Sequence, residues 1–413
     1  MKAPRIPLIA MILAGGRVDE LSVLTFFRPK AAVPFGGLYR VIDFPMSNLM
    51  HSGIWMVGVL SQYRPYSLMN HLDYGIPWDM VGRRRGVYIL PPFKGHEASD
   101  WYKGTADAVY QNLEFIRRWH PKEVLILSGD HVYHMDYRPL IQFHRECKAD
   151  LTVAFTPVAE EEAHRFGQGI VSEETPFGGR LLDYQEKVRP PVSNLASLTI
   201  YVFRPEVLEE VLIENAKSDS HEFGRDIIPK MLGSYRLYGF IHRGYWGYTR
   251  TIEEYWQTHM DLLGPNPKID LKKWRVCTNL SHRHIRDRKP TILGSRATIC
   301  DSLFYNGSEI HGEIIRSVIF PGVRIGEGAV IKDSVLLYDT VIEAGAKLEK
   351  VICDTEVVIE AKAELGGGPE IVVVGRQTRI PEGVQLAPGV TVYPGLDPSH
   401  FSQRTYSAGE VIR

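Results

Sequence analysis

Short apolar runs alternate with amphipathic stretches through the first part of the chain. Ile6–Leu13, Met56–Ser61, Glu123–Leu127 and Asp150–Phe155 read as buried strands, and Ala106–Arg118 reads as a helix between two of them. Strands that are apolar throughout and separated by helices predict a mostly parallel α/β sheet with helices on its faces. In such a sheet ligands sit beyond the carboxyl ends of the strands, which is where Gly15-Gly16 and Gly129-Asp130 occur.

The pattern changes after about residue 290. Val318-Ile319, Val323, Ile325, Val330-Ile331, Val335-Leu336, Val341-Ile342, Leu348 and Val351-Ile352 recur about every six residues, and Gly322, Gly326, Gly328 and Gly345 punctuate the turns. This repeat predicts a parallel β-helix whose stacked coils share one continuous apolar core. An antiparallel sandwich would instead alternate every second residue over longer strands. Leu263 to Pro290 is rich in Pro, Lys and Arg and reads as a linker. The expected division is therefore a first domain over 1–262, a linker over 263–290 and the β-helix over 291–413.

Composition narrows the function little. With 48 basic and 49 acidic residues the net charge is -1, which gives no overall attraction to nucleic acid or to a membrane surface. Arg83-Arg84-Arg85 is the densest basic run; it reads as a solvated loop, with an anion contact as the alternative. Cys147, Cys277, Cys300 and Cys353 lie far apart without a C-x-x-C pair, the usage of free thiols in a reducing cytoplasm. Lys2 and Arg5 precede the apolar run Ile6–Ala14, but that run leads straight into Gly15-Gly16-Arg17 and reads as a strand rather than a signal peptide. No run reaches the length of a transmembrane helix.

Several segments carry candidate chemistry. Gly15-Gly16-Arg17 follows the first strand, where small residues let backbone N–H groups approach a phosphate or a base; a plain tight turn is the alternative. Lys30, between prolines and apolar residues, is positioned to neutralise phosphate charge, or is a surface lysine. Asp130 ends an apolar strand, where a carboxylate serves magnesium phosphate chemistry or strand-end capping. Thr105, in Trp101–Ala108, is placed to cap a helix whose N–H groups could take an anion or a base edge. Glu186-Lys187 is either a sugar-phosphate contact or one exposed charge pair.

Taken together and in order, the stretches M-I-L-A-G-G-R, A-V-P-F-G-G, R-V-I-D-F, W-Y-K-G-T-A-D-A-V-Y-Q-N, S-G-D-H-V-Y-H-M-D-Y, E-F-G-R-D-I-I-P and I-G-E-G-A-V-I resemble the ADP-glucose pyrophosphorylase family over nearly the whole chain. The resemblance implies a Rossmann-like nucleotidyltransferase domain followed by a left-handed parallel β-helix. It implies formation of ADP-glucose and pyrophosphate from ATP and glucose 1-phosphate for glycogen or starch synthesis, with Mg2+, in an allosterically regulated tetramer. Carried over by position, Ala14, Gly15 and Gly16 match the nucleotide-binding turn and Lys30 a catalytic lysine. Gln62, Gly104 and the neighbouring Thr105 match the nucleotide side, and Asp130 a magnesium ligand. Glu186, Lys187 and Ser197 match the glucose 1-phosphate pocket.

The chain also departs from the family pattern. Val18 replaces a glycine and Glu20 replaces the arginine expected to grip the triphosphate. Tyr248 stands where a second magnesium aspartate is expected, Thr199 where a glycine is, Val188 where a proline follows the Glu-Lys pair, and Phe27 where some bacterial members carry an activator-binding lysine. Catalysis by charge neutralisation is sensitive to such losses, each commonly worth about 10²–10³ in rate. The resemblance therefore implies a catalytically weak or inactive regulatory subunit, paired in a homo- or hetero-tetramer with an active one. The alternative is an active enzyme in which Arg17, Arg28, one of Arg83 to Arg85, or Arg250 substitutes for the lost cation.

Overall fold

The computed structural model describes residues 7–16, 18–93 and 101–413. The chain divides into two compact units, residues 1–16, 44–65 and 72–246 in the first and 17–43, 66–71 and 247–413 in the second.

In the first unit, nine strands among the described residues form one sheet: β1 (Leu8–Leu13), β2 (Met56–Leu60), β3 (Gly86–Leu90), β4 (Glu123–Ser128), β5 (Leu151–Pro157), β6 (Gly167–Val171), β7 (Gly178–Glu186), β8 (Leu195–Phe203) and β9 (Leu237–Ile241). Their order is β3-β2-β1-β4-β8-β5-β9-β7-β6. The strands β3, β2, β1 and β4 are parallel, as expected for apolar strands buried on both faces. Beyond β4 the sheet is mixed rather than mostly parallel: β8 is antiparallel to both β4 and β5, and β7 to both β9 and β6. For β6 and β7 the physical reason is loop length, since the turn from Val171 to Gly178 is too short for a crossover and forces a hairpin.

The helix Tyr137–Glu146 packs against β5, β8 and β9, burying Tyr137, Leu140, Ile141, Phe143 and His144, with Asp136 capping its start through the Arg138 N–H. The single helix expected over Ala106–Arg118 is two, Thr105–Tyr110 and Leu113–Trp119. Asn112 breaks it: its backbone leaves the helical region, and its amide donates to the Tyr102 hydroxyl at 2.9 Å and to the Ala108 carbonyl at 2.9 Å.

The second unit is built on the left-handed β-helix. Successive coils give one strand to each of three parallel sheets, of six, seven and seven strands, the last coil contributing to two of them. Ile310, Ile325, Ile342, Ile359 and Ile380 stack in register along one face. Ile314, Ile331, Leu348, Leu365, Leu386 and Tyr406 stack along the next, and Ile319, Leu336, Cys353, Val374, Val392 and Ile412 along the third. All are buried. Cys353 thus serves as a small hydrophobe in the core, where burial pushes its thiol pKa up.

The coil corners need left-handed backbone. Gly322, Gly328 and Gly345 supply it, but so do Asp339, Glu356 and Lys362. Another corner joins left-handed Asp301, Arg316 and Asp333 to Ser302, Ser317 and Ser334. Each of these hydroxyls donates within its own turn and accepts a backbone N–H from the coil above, Ser302 from Ser317, Ser317 from Ser334 and Ser334 from Val351.

The segment bearing Lys30 belongs to this unit. Two residues ahead of it, Arg28 makes a buried two-point ion pair with Asp354, at 2.7 and 2.8 Å, from the β-helix. The R-V-I-D-F motif is a buried polar hub. Asp43 accepts from His71 at 2.5 Å and from the Arg40 N–H at 2.9 Å, while Arg40 reaches Ser67 at 2.7 Å and His282 at 3.0 Å. His284 and Arg288 both bind Asp339, so residues 263–290 are tied into the unit by named contacts.

Candidate active site

In the first unit, β1 ends at Leu13 and the chain turns through Ala14-Gly15-Gly16. Ala14 is buried and its N–H donates to the Leu60 carbonyl at 2.9 Å. A Cβ on Gly15 would come to 3.4 Å from Leu60 and Gln62 atoms, whereas one on Gly16 would meet nothing within 4 Å. Gly16 therefore presents bare backbone on an open side, the feature a phosphate or base needs for close approach. Gln62 is oriented by accepting the Tyr102 N–H on Oε1 at 2.7 Å. Arg17 lies outside the described residues.

Gly104 has no room for a side chain, because a Cβ there would lie 2.3 Å from the His221 carbonyl oxygen. The expected capping role of Thr105 is corrected: Gly104 is the N-cap residue, and the Thr105 hydroxyl does not cap that helix. The Thr105 hydroxyl and N–H both donate to Glu222, at 2.5 and 3.2 Å, and the hydroxyl accepts the Phe223 N–H at 3.1 Å. The Ala106 N–H donates to the His221 carbonyl at 2.9 Å, so the Thr105 and Ala106 N–H groups are satisfied by protein and not offered to an anion.

Asp130, two residues past β4, accepts from the Ser128 hydroxyl and lies 3.4 Å from His131 Nε2; its side chain is 27% exposed. It is a presented carboxylate, not a buried one. Among the described residues no group of three or more His, Cys, Asp or Glu side chains is arranged to hold a metal ion. A single carboxylate suits a hard divalent cation that takes its other ligands from phosphates and water.

Glu186, Lys187 and Ser197 are brought together around Tyr184. The Tyr184 hydroxyl donates to Glu186 Oε2 at 3.1 Å, and Lys187 Nζ lies 3.7 Å from Glu186 Oε1. Ser197 lies beside Tyr184 and Tyr201, whose phenols are both pushed up, first by burial and then by neighbours including Glu186. Gly167 and Gly224 make the space: a Cβ on either would stand 2.6 or 2.3 Å from Glu186 Oε2. A carboxylate, a half-exposed ammonium and three hydroxyls suit a polyhydroxy ligand with an anionic group. Sequence reasoning singled out Glu186, Lys187 and Ser197 but not their neighbours Tyr184, Tyr201, Gly167, Gly224 and Glu222; the E-F-G-R-D stretch was the available signal for the last two.

Thr199 sits in a bulge where the pairing of β8 with β5 slips between Ser197 and Tyr201. Its φ is +53, left-handed backbone in a β-branched residue. Thr199→Gly is expected to raise stability by about 1 kcal/mol through relief of this strain. Denaturant unfolding checks it, and a loss of stability would show that the Thr199 side chain contributes more than the strain costs.

In the second unit, Lys30 is buried, and its Nζ donates to the Tyr248 carbonyl at 2.8 Å while lying 5.0 Å from the centre of the Tyr248 ring. Glu20 Oε1 accepts Arg250 Nε–H at 2.9 Å and lies 2.9 Å from Arg250 Nη2 in an ion pair, and Arg250 Nη1 donates to the Tyr248 hydroxyl at 3.2 Å. Partial burial pushes the Glu20 carboxyl up, but its own backbone N–H, Arg250 and the Lys30 charge outweigh this and hold it below the ordinary value. Burial opposes the charge on Arg250, and Tyr248 and Glu20 more than restore it. Val18 has φ -121, extended backbone that needs no glycine. Of the cations available to replace the lost arginine, Arg28 is committed to Asp354, and Arg85 to Asp79 and the Trp55 ring. Arg250 joins the group around Lys30.

The fold is that of a nucleotidyl transferase domain carrying a hexapeptide β-helix. The family model described as nucleotidyl transferase matches residues 9–264, and the one described as GlmU-like, C-terminal hexapeptide matches 289–387. Proteins named glucose-1-phosphate adenylyltransferase are similar along their length. One from Thermotoga neapolitana is 43% identical, with 98% of each chain covered. One from Thermomicrobium roseum is 42% identical over 97% of this chain and 96% of its own, and one from Clostridium perfringens 42% over 89% and 92%. The chain belongs to the glucose-1-phosphate adenylyltransferase family. No helix among the described residues is long and apolar enough to cross a membrane.

Proposed function

We propose that this chain binds ATP and glucose 1-phosphate, turns them over weakly by itself, and acts in glycogen biosynthesis as a regulatory subunit of a cytoplasmic homo- or hetero-tetramer. The observation that carries this reading is the Lys30 cluster. Its phosphate-facing arginine is replaced by Glu20, which is occupied by Arg250, and Tyr248 brings no carboxylate for a second metal. On this reading residues 1–262 handle the nucleotide and sugar phosphate, 263–290 join, and 291–413 serve assembly.

The reaction of the family is attack of a phosphate oxygen of glucose 1-phosphate on the α-phosphorus of ATP, with pyrophosphate leaving. Gly15, Gly16, Gln62 and Gly104 would receive the nucleotide, and Glu186, Lys187 and Ser197 the glucose 1-phosphate. Lys30 would neutralise phosphate charge, as a buried cation positioned by the Tyr248 carbonyl is well suited to do. Asp130 would hold Mg2+, whose role is to neutralise phosphate oxygens. With one metal carboxylate and a reversed charge at Glu20, positioning survives better than charge stabilisation, which favours binding over turnover.

The test is pyrophosphate release from ATP, glucose 1-phosphate and Mg2+ by the purified chain, alone and mixed with an active family subunit from the same cell. Silence alone with a changed rate or effector response in the mixture supports the proposal. Turnover of about 1 s⁻¹ or more by the chain alone would overturn it. That outcome would establish the second reading, an active adenylyltransferase, which the retention of Lys30 and Asp130 favours.

A further inference from the structure

We propose that Arg250 is a phosphate-binding residue of this chain and that Glu20 is its built-in competitor, a carboxylate that an incoming phosphate must displace. The inference rests on the reading of the chain as a nucleotide-handling member of its family, and it adds to that reading a residue and a regulating contact.

The geometry carries the argument. Arg250 is held from its backbone outward. Its N–H donates to Glu254 Oε2 at 2.9 Å, and the same carboxylate takes part in the capping box that starts the helix Ile252–Met260. The guanidinium then projects from a fixed point. Its Nε–Nη2 edge is the edge that a carboxylate or phosphate takes through two parallel hydrogen bonds. Here both nitrogens converge on one oxygen, Glu20 Oε1. The third nitrogen rests on the Tyr248 hydroxyl, and the Tyr248 carbonyl fixes Lys30 Nζ. Tyr248 therefore links the two cations without adding charge. Lys30, Arg250 and Glu20 together carry one net positive charge.

The pair is also accessible and weak. The side chains of Arg250 and Glu20 are 38% and 45% exposed. An ion pair that exposed is screened by water and salt and holds its partners loosely. A phosphate group offers more charge and more acceptor oxygens than one carboxylate, so it outcompetes Glu20 for the same edge. Lys30, buried beneath the same tyrosine, then adds its charge to the attraction.

Inorganic pyrophosphate is the probe, titrated calorimetrically into the full chain, so that the result does not depend on turnover. Removing the competitor in Glu20→Gln is expected to tighten binding by ~10-fold, and removing the guanidinium in Arg250→Gln to weaken it by ~10-fold or more, each about the size of one charge-assisted contact. Arg250→Lys keeps the charge but loses the forked edge and should fall between. Thermal melting of each variant confirms folding. Unchanged affinity in well-folded Arg250→Gln, no tightening in Glu20→Gln, or no measurable binding by either the unaltered chain or Glu20→Gln would each overturn the proposal. A chain that binds pyrophosphate in this pattern yet neither turns over substrates nor affects an active subunit would sink only the wider functional reading.

Discussion

Taking the protein from about pH 7 to about pH 5 is expected to remove roughly 5 kcal/mol of stability. Three histidines carry most of the effect, and burial also pushes His71 and His242 down in the same direction. Burial pushes His144 and His259 down to about 4, and burial with the nearby Arg40 charge pushes His282 down to about 2. Hydrogen bonding agrees for His259: Nε2 accepts the Gly36 N–H at 3.2 Å and Nδ1 donates to the Tyr255 carbonyl at 2.9 Å, so a second proton would face an N–H. In the unfolded chain each histidine protonates near its ordinary 6.5. Between about pH 6.5 and about pH 4 the unfolded state therefore binds more protons, and stability falls with pH by up to about 1.4 kcal/mol per unit for each histidine. Carboxylates do not offset this in the same window. Burial opposes ionisation of Asp339, yet His284 and Arg288 hold it down at about 2, so its contribution is lost only below its ordinary 3.8. The measurement is the denaturant midpoint from pH 7.5 to 5. A flat midpoint down to pH 5.5 would show that these histidines gain protons or water in the folded state. His259→Gln, whose amide can keep both hydrogen bonds, should flatten the slope.

The β-helix was legible because its core positions repeat. A hydrophobic ladder such as Ile310, Ile325, Ile342, Ile359 and Ile380 is a property of spacing, and spacing is visible in a sequence. Its corners were half legible. Gly322, Gly328 and Gly345 announce left-handed backbone, but Asp339, Glu356 and Lys362 adopt it under the constraint of the stacked coils, which no local preference reveals. The serine ladder was hidden for the same reason, since it exists only between coils. In the first unit, the apolar strands were visible, but the antiparallel insertion of β8 between β4 and β5 is a choice of tertiary pairing. Site residues on strand ends and glycine turns could be picked out by type. Tyr184 could not, because a buried tyrosine two residues before Glu186 on its own strand reads as ordinary core, and Gly224 is marked only by the E-F-G-R-D stretch, since its closeness to Glu186 arises across the fold. The link of Glu20 to Arg250 joins positions far apart in the chain, so charge at one position gave no hint of its partner.

That link sets the terms for the largest expected change in activity. Glu20→Arg combined with Tyr248→Asp should raise pyrophosphate release from ATP and glucose 1-phosphate by about 10²-fold, the lower end of what one transition-state charge contact commonly contributes. Two such restorations do not simply multiply, because groups acting on the same phosphates share their effect. Glu20, Tyr248 and Arg250 now carry charges that cancel, and the two changes would leave them with one net positive charge beside Lys30. They would also offer a carboxylate to a metal. The single variants separate the two contributions. A gain in Glu20→Arg alone belongs to the phosphate contact, and a further gain only in the double variant belongs to the carboxylate. Glu20→Gln is the necessary control, since removing the competitor frees Arg250 without adding a cation. Activity above that of Glu20→Gln isolates the new arginine, whereas equal activity would mean that Arg250, once released, already does its work. A double variant that melts like the parent chain and shows no gain would mean that low turnover has its cause elsewhere, and Thr199 and Val188 beside the Glu186 pocket would be the next positions to change.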